Sequence, residues 1–479
     1  MRKTKIVCTL GPAVDDYQTL TKLFMAGMNV ARFNFSHGDY ESQSKRIKMF
    51  KDVRNDLNLP IPMMLDTKGP EIRIGTFEDD EVFLNDGETF TLSQDANAGT
   101  SSKVFVNYAH LHEDVSIGTT ILINDGLIEL KVKEIKEKDV ICEIIHGGKL
   151  TNRKSVNIPG LSLNLPTLTD KDREDIIFGI ENGFDIIAVS FVRNQKDILA
   201  IKDVLKEKNA ENIKLIAKIE NHEGVQNFDS ILDVVDGVMV ARGDLGVEIP
   251  MDKVPLLQKE FISKCNKRGK TVIVATQMLE SMVVSPRPTR AEVNDVANAI
   301  FDGASTIMLS GEVASGKYPI ESTKTMAKIA ETIENGINYW DKFSNMPCEH
   351  LKGNKPNLIV AHSLCEVAMQ SNAKAIFALS AHGNTLNAIS SFRPACPVYL
   401  ITPNEDAARQ LSISWGVYPI LVNYSTDYYE MIREGIEIAK GYDYISENDT
   451  IVIGESDTYS TTNKLGVSSS KLLGGIYTV

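Results

Sequence analysis

Charged side chains follow several runs of apolar, strand-like residues. Lys218 and Glu220 stand two residues apart after one run, and Arg242, Gly243 and Asp244 follow the next. A lysine beside a carboxylate can be a mere structural ion pair, and for this pair alone that interpretation is as good as a functional one. Two carboxylates on neighbouring strands, however, suit Mg²⁺, which prefers one or two carboxylates together with oxygens of substrate and water. The pattern predicts a magnesium site at Glu220 and Asp244.

Cations and hydroxyls follow two earlier strand-like runs. Arg32, Asn34 and Ser36 share one face of an extended segment, because side chains alternate along a strand. The segment Asp66–Arg73 holds a carboxylate, two cations and a turn within eight residues. Solvated strand ends are the plain alternative, which weakens as further strand ends show the same pattern. This much positive charge predicts a phosphorylated or polyanionic substrate and phosphoryl-transfer or enolate chemistry.

Signatures of other phosphate-binding enzymes are missing from the sequence. It contains no Walker A motif and no glycine-rich kinase loop. His37 and His222 could act as general bases, but a single histidine near a loop is more often a polar surface group. The chemistry is therefore expected to depend on the strand-end clusters.

These clusters need a scaffold that brings many strand ends together. The sequence alternates strand and helix three times before residue 70 and five times more after Thr169. Eight β/α units are the count of a TIM barrel, whose catalytic residues lie at the carboxyl ends of the strands. The predicted barrel strands are Ile6–Leu10, Val30–Phe35, Met63–Leu65, Ile186–Val189, Ile213–Ile219, Val238–Ala241, Thr271–Ala275 and Thr306–Leu309.

The rest of the chain predicts two further domains. Between the third and fourth barrel strands the sequence shows only β-like pieces, the first of them Glu71–Ile74, which indicates an all-β insertion. After about residue 345, four strands alternate with helices, as in an open doubly wound α/β domain. The predicted fold class is α/β, with a catalytic (β/α)8 barrel (1–69 and 167–344), an inserted β-barrel lid (70–166) and a C-terminal regulatory domain (345–479).

Composition limits the class of protein. The 479 residues carry a formal net charge of −13, which disfavours binding to nucleic acid or to an anionic membrane. No apolar run approaches the roughly 18 residues that span a bilayer, and no signal peptide is expected. The six cysteines are scattered without a CxxC pair, as expected of reduced thiols in a cytoplasmic protein.

Six segments resemble the signature segments of the pyruvate kinase family, and the C-terminal third resembles the regulatory domain of that family with weaker motifs. The resemblance implies a glycolytic phosphotransferase that moves the phosphoryl group of phosphoenolpyruvate to ADP, giving pyruvate and ATP. It also implies a homotetramer. The segments are Thr4–Pro12, Arg32–Gly38, Leu65–Arg73, Lys218–Asn221, Ala241–Glu248 and Asp295–Ala297.

The resemblance implies roles at the reacting centre. Glu220 and Asp244 hold Mg²⁺ or Mn²⁺, and Lys218 stabilises the phosphoryl group in transit and the developing enolate. The final proton comes from Thr276 with a water or from Ser310, two alternatives that stay open. Arg32, Lys218 and Thr276 are the implied catalytic residues, and the substrate is bound by Arg32, Gly243, Asp244 and Thr276.

The remaining implied ligands are K⁺, the nucleotide and an effector. Family members carry either Glu or Lys at the position of Glu71, and a lysine ammonium can replace the bound K⁺. Ser155 stands where many members have Gly, and the loop Ser380–Thr385 lacks the Lys or Arg of members activated by fructose bisphosphate. The implied sets are Asn34, Ser36, Asp66 and Thr67 for K⁺; Asn34, His37, Arg73 and Lys154 for the nucleotide; and Ser380, Gly383 and Thr385 for a phosphorylated effector.

Two other functions compete with this interpretation. A Mg²⁺-dependent barrel lyase with an enolpyruvate intermediate would need no nucleotide site and no inserted lid, so Arg73 and Lys154 weigh against it. A catalytically retired barrel kept as a metabolite sensor is disfavoured because every expected ligand residue is present.

Overall fold

The computed structural model describes residues 1–95, 98–345, 355–380, 383–455 and 474–479. The first two helices are capped at both ends: Asp16 and Asp39 accept hydrogen bonds from backbone amides at their starts, and Gly27 and Asn58 end them with positive φ. The chain begins with three strands and two helices in alternation: β1 (Lys5–Thr9), α1 (Tyr17–Ala26), β2 (Val30–Asn34), α2 (Tyr40–Leu57) and β3 (Met63–Asp66).

The segment inserted between β3 and the fourth barrel strand forms β-sheets around a core of its own. Six of its strands pair in the order β11-β7-β8-β9-β5-β6, and β4 pairs with β10. Its elements are β4 (Glu81–Leu84), β5 (Thr89–Ser93), β6 (Lys103–Phe105), α3 (Leu111–Asp114), β7 (Thr120–Ile123), β8 (Ile128–Lys136), β9 (Asp139–His146), β10 (Gly148–Thr151) and β11 (Val156–Asn157).

The prediction of a strand at Glu71–Ile74 is wrong. Arg73 and Ile74 form only isolated bridges, with Ser155 and Val106 respectively. The backbone amide of Arg73 donates to the side chain of Asn107 rather than to a strand partner, because this stretch is a connector between the barrel and the insertion. Strands β4, β10 and β11 have two to four residues each, and such short pieces give little periodic signal.

The eight predicted barrel strands close in the order β1-β16-β15-β14-β13-β12-β3-β2, with every pair parallel, which confirms the predicted barrel. A capping box of Thr289 and Glu292 opens α10. The elements after the insertion are α4 (Asp170–Glu181), β12 (Ile186–Val189), α5 (Gln195–Glu207), β13 (Lys214–Ile219), α6 (His222–Gln226), α7 (Phe228–Val234), β14 (Gly237–Ala241), α8 (Arg242–Glu248), α9 (Val254–Lys267), β15 (Thr271–Ala275), α10 (Arg290–Asp302), β16 (Thr306–Leu309), α11 (Gly311–Ala314) and α12 (Pro319–Asn335).

The C-terminal elements form an open sheet in the order β19-β18-β17-β20-β21, parallel except for β21, with an apolar core on each face. This confirms the predicted doubly wound architecture. The elements are α13 (Tyr339–Ser344), α14 (Lys355–Gln370), β17 (Ala375–Leu379), α15 (Asn384–Ser391), β18 (Val398–Thr402), α16 (Glu405–Leu411), β19 (Val417–Leu421), α17 (Tyr428–Gly441), β20 (Thr450–Glu455) and β21 (Gly474–Thr478).

The C-terminal sheet packs against the amino ends of the barrel strands. Ile413 belongs to the apolar cluster inside the barrel, and its carbonyl accepts a hydrogen bond from Thr306 Oγ1 at 3.2 Å. Lys5 Nζ donates to the carbonyl of Val417 at 2.5 Å. The carboxyl ends of the strands therefore face the inserted segment. Within the described ranges, none of the helices is both long and apolar enough to cross a membrane.

Candidate active site

Lys218, on β13, lies at the centre of the candidate site. Its Nζ lies 2.7 Å from Oγ of Ser190, 2.9 Å from Oε1 of Glu220 and 3.0 Å from Oδ1 of Asp66. Burial alone would lower the pKa of the ammonium, but the charges of Asp66 and Glu220 outweigh it and raise the pKa. Lys218 is therefore a fixed positive charge at the mouth of the barrel.

Arg32, on β2, supplies a second buried cation beside the first. Its Nε donates to Oδ2 of Asp66 at 2.6 Å, and its Nη1 donates to Oγ1 of Thr9 at 2.9 Å. Burial alone would raise the pKa of Asp66, but the charges of Arg32 and Lys218 lower it. The ionised carboxylate of Asp66 thus holds the two cations side by side.

Glu220 and Asp244 are the predicted pair of carboxylates, and the charge of Asp244 acts on Glu220. Glu220 Oε2 accepts a hydrogen bond from the backbone amide of Phe191 at 2.7 Å. Burial and the charge of Asp244 together raise the pKa of Glu220 to about 7, against the opposing charge of Lys218. Burial also raises the pKa of Asp244. Two crowded, buried carboxylates of this kind suit a bound divalent cation, whose charge compensates both.

A cation at this pair needs ligands beyond the protein. In the described part of the chain, no group of three or more His, Cys, Asp or Glu side chains is arranged to hold a metal ion. Mg²⁺ tolerates this, because it keeps several waters and commonly binds through one or two carboxylates and substrate phosphates. The donor set of Glu220 and Asp244 therefore fits Mg²⁺ together with an oxygen-rich substrate.

Gly243 and Thr276, predicted to bind substrate, are in direct contact. The amide of Gly243 donates to Oγ1 of Thr276 at 2.8 Å, and that hydroxyl donates to the carbonyl of Ala275 at 2.6 Å. Thr276 has a φ of +69°, which a β-branched residue rarely adopts. Arg242 holds it there by donating to its carbonyl at 2.7 Å, and Asp295 pairs with Arg242. Strain maintained by its surroundings is typical of functional sites.

The four residues predicted to bind K⁺ meet at the ends of two neighbouring strands. Asn34 on β2 and Asp66 on β3 are register partners, and Thr67 follows directly. Oδ1 of Asn34 accepts a hydrogen bond from the amide of the exposed Ser36 at 3.0 Å. Oγ1 of the buried Thr67 accepts one from the amide of Ser190 at 3.1 Å.

A cavity of about 270 Å³ separates the inserted segment from the barrel. Arg73 and Lys154 line it from the inserted side, and Asp244 lines it from the barrel. Glu71 holds the guanidinium of Arg73 through two contacts of 2.6 and 2.7 Å, and the carbonyl of Arg153 accepts from it at 2.6 Å. The cavity is therefore lined by charges of both signs: the basic side chains of Arg73, Lys154 and Arg193, and five carboxylates, Asp244 among them.

The two histidines lie at different places. His222 lines this cavity, and its Nε2 lies 2.8 Å from Nε2 of Gln226. His37, predicted to bind nucleotide, lines a separate cavity of about 260 Å³ together with Tyr40 and Lys171. The structure therefore does not bring His37 into one cavity with Arg73.

The predicted effector loop is described in part. Ser380 Oγ accepts a hydrogen bond from the amide of Gly383 at 2.8 Å, and Gly383 has a φ of +81°. Arg393, which follows this loop in the sequence, donates to Asn266, Gly303 and Ser305 of the barrel, so its charge is held against the barrel. His382 lies outside the described residues, and the side chains of Asn384 and Thr385 do as well.

Sequence reasoning missed three residues that contact the cluster: Thr9, Ser190 and Phe191. Ser190 and Phe191 directly follow β12, and no site residue was predicted at the end of that strand. Their position at the carboxyl end of a barrel strand is a signal that could have identified them. Phe191 contacts Glu220 through its backbone amide, and the type of side chain at a position does not predict such a contact.

The (β/α)8 barrel, its cation cluster and its acidic pair define a barrel-type phosphotransferase. The sequence profile of "Pyruvate kinase, barrel domain" matches residues 1–323, and that of "Pyruvate kinase, alpha/beta domain" matches residues 359–468. Pyruvate kinases of Clostridium acetobutylicum and Bacillus licheniformis are each 46% identical over 98% of this chain, and over 99% and 80% of their own lengths. The chain therefore belongs to the pyruvate kinase family.

A solved structure agrees with this membership. The crystal structure of a pyruvate kinase from Cryptosporidium parvum matches with a TM-score of 0.92 and 38% identity, covering 100% of this chain and 96% of that chain. The predicted family, fold class and function as a glycolytic phosphotransferase are thereby confirmed. The lyase and the retired sensor are set aside.

Proposed function

We propose that this site transfers the phosphoryl group of phosphoenolpyruvate to ADP and that the enolpyruvate formed is protonated to pyruvate. The observation that carries the proposal is the position of Lys218 between Asp66 and Glu220. Its ammonium is fixed before substrate binds, so it stabilises negative charge in transit without reorganising.

The acidic pair and its neighbours have separate roles. Glu220 and Asp244 hold Mg²⁺ or Mn²⁺, which when bound compensates charge on phosphoryl and carboxylate oxygens. Arg32 binds the phosphate of phosphoenolpyruvate, next to Lys218. Gly243, Asp244 and Thr276 bind the carboxylate and enolate side, which agrees with the 2.8 Å contact between the Gly243 amide and the Thr276 hydroxyl.

Proton delivery has two candidate routes in this proposal. The Thr276 hydroxyl acts through a water in the first, and the Ser310 hydroxyl acts in the second. Pyruvate deuteration measured in heavy water for Thr276→Val and Ser310→Ala separates the routes, because only loss of the true donor slows protonation relative to ATP formation.

The monovalent ion and the nucleotide use the remaining polar residues. The cavity between the inserted segment and the barrel supports a nucleotide position, because Arg73 and Lys154 line it together with Asp244, one of the proposed metal ligands. The inserted segment would then exclude water and suppress hydrolysis of the phosphoryl group. K⁺ is assigned to oxygens of Asn34, Ser36, Asp66 and Thr67, and the nucleotide to Asn34, His37, Arg73 and Lys154.

The proposal extends to organisation and regulation. The proposed domains are a catalytic barrel of residues 1–69 and 167–344, a lid of residues 70–166 and a regulatory domain of residues 345–479. The enzyme acts in the cytoplasm as a homotetramer. A phosphorylated effector binds at the loop with Ser380, Gly383 and Thr385.

A coupled assay tests the proposed reaction. Pyruvate formed from phosphoenolpyruvate is followed by NADH oxidation with lactate dehydrogenase, with ADP, Mg²⁺ and K⁺ each omitted in turn. Turnover that requires all of them, with ATP formed in equal amount, supports the proposal. Pyruvate release without ADP, or no turnover, contradicts it.

A further inference from the structure

The loop Ser190–Arg193 contacts both connectors that join the inserted segment to the barrel. The first connector passes through Gly69, whose φ is +73° and whose amide donates to Asp172 Oδ1 at 3.0 Å. A Cβ at Gly69 would lie 2.8 Å from Cδ2 of Phe191 and 3.0 Å from Cβ of Ser190. Only glycine allows this approach, so the first connector is seated directly on the loop.

Arg193 binds the second connector. Its Nη1 donates to the carbonyl of Leu165 at 2.8 Å and more weakly to that of Leu163 at 3.4 Å, and its Nη2 donates to that of Pro166 at 3.1 Å. Asp197 lies 2.9 Å from Nη2 and fixes the direction of the guanidinium. One planar cation thus holds three backbone carbonyls within four residues of the connector, contacts that no change of side chain in the connector would remove.

The same loop positions the reacting cluster. Oγ of Ser190 accepts a hydrogen bond from Lys218 Nζ at 2.7 Å, and the amide of Phe191 donates to Glu220 at 2.7 Å. The contacts to the two connectors and the contacts to Lys218 and Glu220 are therefore made by four consecutive residues, Ser190–Arg193. A rotation of either connector would therefore act on the same stretch of backbone that binds Glu220.

The loop does not need the Arg193 side chain to keep its own backbone in place. The carbonyl of Arg193 accepts a hydrogen bond from Nδ2 of Asn227 at 3.0 Å, and that of Val192 accepts one from Nδ2 of Asn221 at 3.4 Å. Val192 is fully buried. The guanidinium is therefore engaged by the connector and by Asp197 rather than by the loop, although Arg193 also lines the cavity between the inserted segment and the barrel.

We propose that Arg193 is a positioning residue that sets the angle at which the inserted segment carries Arg73 and Lys154 over the acidic pair. The inference rests on the proposed nucleotide role of those two cations. When the guanidinium is removed, water takes its place at the connector carbonyls, and the inserted segment no longer has one preferred orientation relative to the barrel. The substrate bound by the inserted segment is affected, whereas the substrate bound only by the barrel is not.

The test is a split between two Michaelis constants. Arg193→Ala should raise KM for ADP about tenfold, the scale expected for losing hydrogen bonds to a charged group, and change KM for phosphoenolpyruvate less than about twofold. Arg193→Lys should lie in between, because an ammonium cannot span the same carbonyls. Amide hydrogen exchange in residues 159–166 should become faster in Arg193→Ala, with or without substrates.

The matched control is Arg268→Ala. Arg268 is as buried as Arg193, with side-chain exposures of 13% and 12%, and it pairs with Asp233 away from the inserted segment. It should move neither Michaelis constant. If Arg193→Ala does not fold, Arg193→Lys carries the test, and the same split is required of it.

Two results would overturn the inference. One is an equal rise of both Michaelis constants, which a general loss of structure produces. The other is an unchanged KM for ADP although the connector exchanges faster. Arg73→Ala and Lys154→Ala test the underlying nucleotide site separately: if they leave KM for ADP unchanged, the proposed nucleotide role is wrong, whatever Arg193 does.

Discussion

Nζ of Lys218 lies 2.9 Å from Oε1 of Glu220, two residues further along the chain. Because side chains alternate along a strand, the two groups face the same way at the end of β13. Each is the counter-charge of the other, so the ammonium is held at the point where a transferred phosphoryl group would place its negative charge.

Removing this ammonium should abolish turnover while sparing substrate binding. Lys218→Ala should lower kcat by on the order of 10² to 10³, the usual scale for one preorganised electrostatic group. Phosphoenolpyruvate binding, followed by fluorescence titration, should persist because Arg32 remains. Lys264→Ala, at a surface ion pair with Asp229, is the control. If Lys218→Ala retains more than about a tenth of the original turnover, the role assigned to Lys218 in phosphoryl transfer is wrong.

The acidic pair should control the metal requirement. Glu220→Gln and Asp244→Asn each remove a hard anionic oxygen, so the Mg²⁺ concentration for half-maximal activity should rise in both. Asp236→Asn is a suitable control, because that carboxylate accepts the amide of Leu215 at the opposite end of the barrel. Unchanged titrations in both variants would place the metal elsewhere.

Strand-end clusters were predictable because their signal is local. Strands β12, β15 and β16 have the predicted bounds, and Lys218 and Glu220 lie on the same face of the chain, as the alternation requires. The hydrogen bond from the Phe191 amide to Glu220 was not predictable, since it joins two strands through a backbone group. The apolar neighbours of Arg73 predict a strand at this position. In the structure its guanidinium pairs with Glu71 and its backbone amide donates to the side chain of Asn107 instead.

Glu71 should make the enzyme dependent on K⁺. We expect little activity in buffer with tetramethylammonium as the sole monovalent cation, and partial recovery there in Glu71→Lys, whose ammonium can replace the ion. The recovery should be incomplete, because Glu71→Lys also releases Arg73 from its paired carboxylate. Full activity of the unaltered enzyme without K⁺ or Na⁺ would refute the prediction.

Activation by fructose 1,6-bisphosphate should be weak or absent. The second phosphate of a bisphosphate needs a cation, and Arg393 is engaged with Asn266, Gly303 and Ser305 of the barrel. A monophosphate such as AMP or a sugar phosphate is the expected effector, if the enzyme has one. Velocities at subsaturating phosphoenolpyruvate decide between them, and strong activation by micromolar bisphosphate would contradict the prediction.

Stability should depend on pH through Lys5. Burial and the charge of Arg2 together lower its pKa to about 7, with the charge of Glu334 opposing. The unfolded chain, with a lysine pKa of about 10.4, binds the proton more tightly between those two values, so stability should rise with pH across that window. Lys5→Met removes this contribution.

The thermal midpoint of both proteins, measured from about pH 6.5 to 9, checks the Lys5 prediction. The difference between Lys5→Met and the unaltered protein should favour the variant most at the low end and shrink as pH rises. A difference that stays constant would show that Lys5 does not titrate in this range.

Strand β1 spans the distance between two sites that are far apart in sequence. Its first residue, Lys5, is bonded to Val417 of the C-terminal sheet, and its last, Thr9, accepts the Arg32 guanidinium. From Lys5 to Thr9 the strand rises about 13 Å, four steps of roughly 3.3 Å. The C-terminal sheet and the Arg32 guanidinium are therefore joined through one uninterrupted strand, with no loop between the two contacts to absorb a displacement.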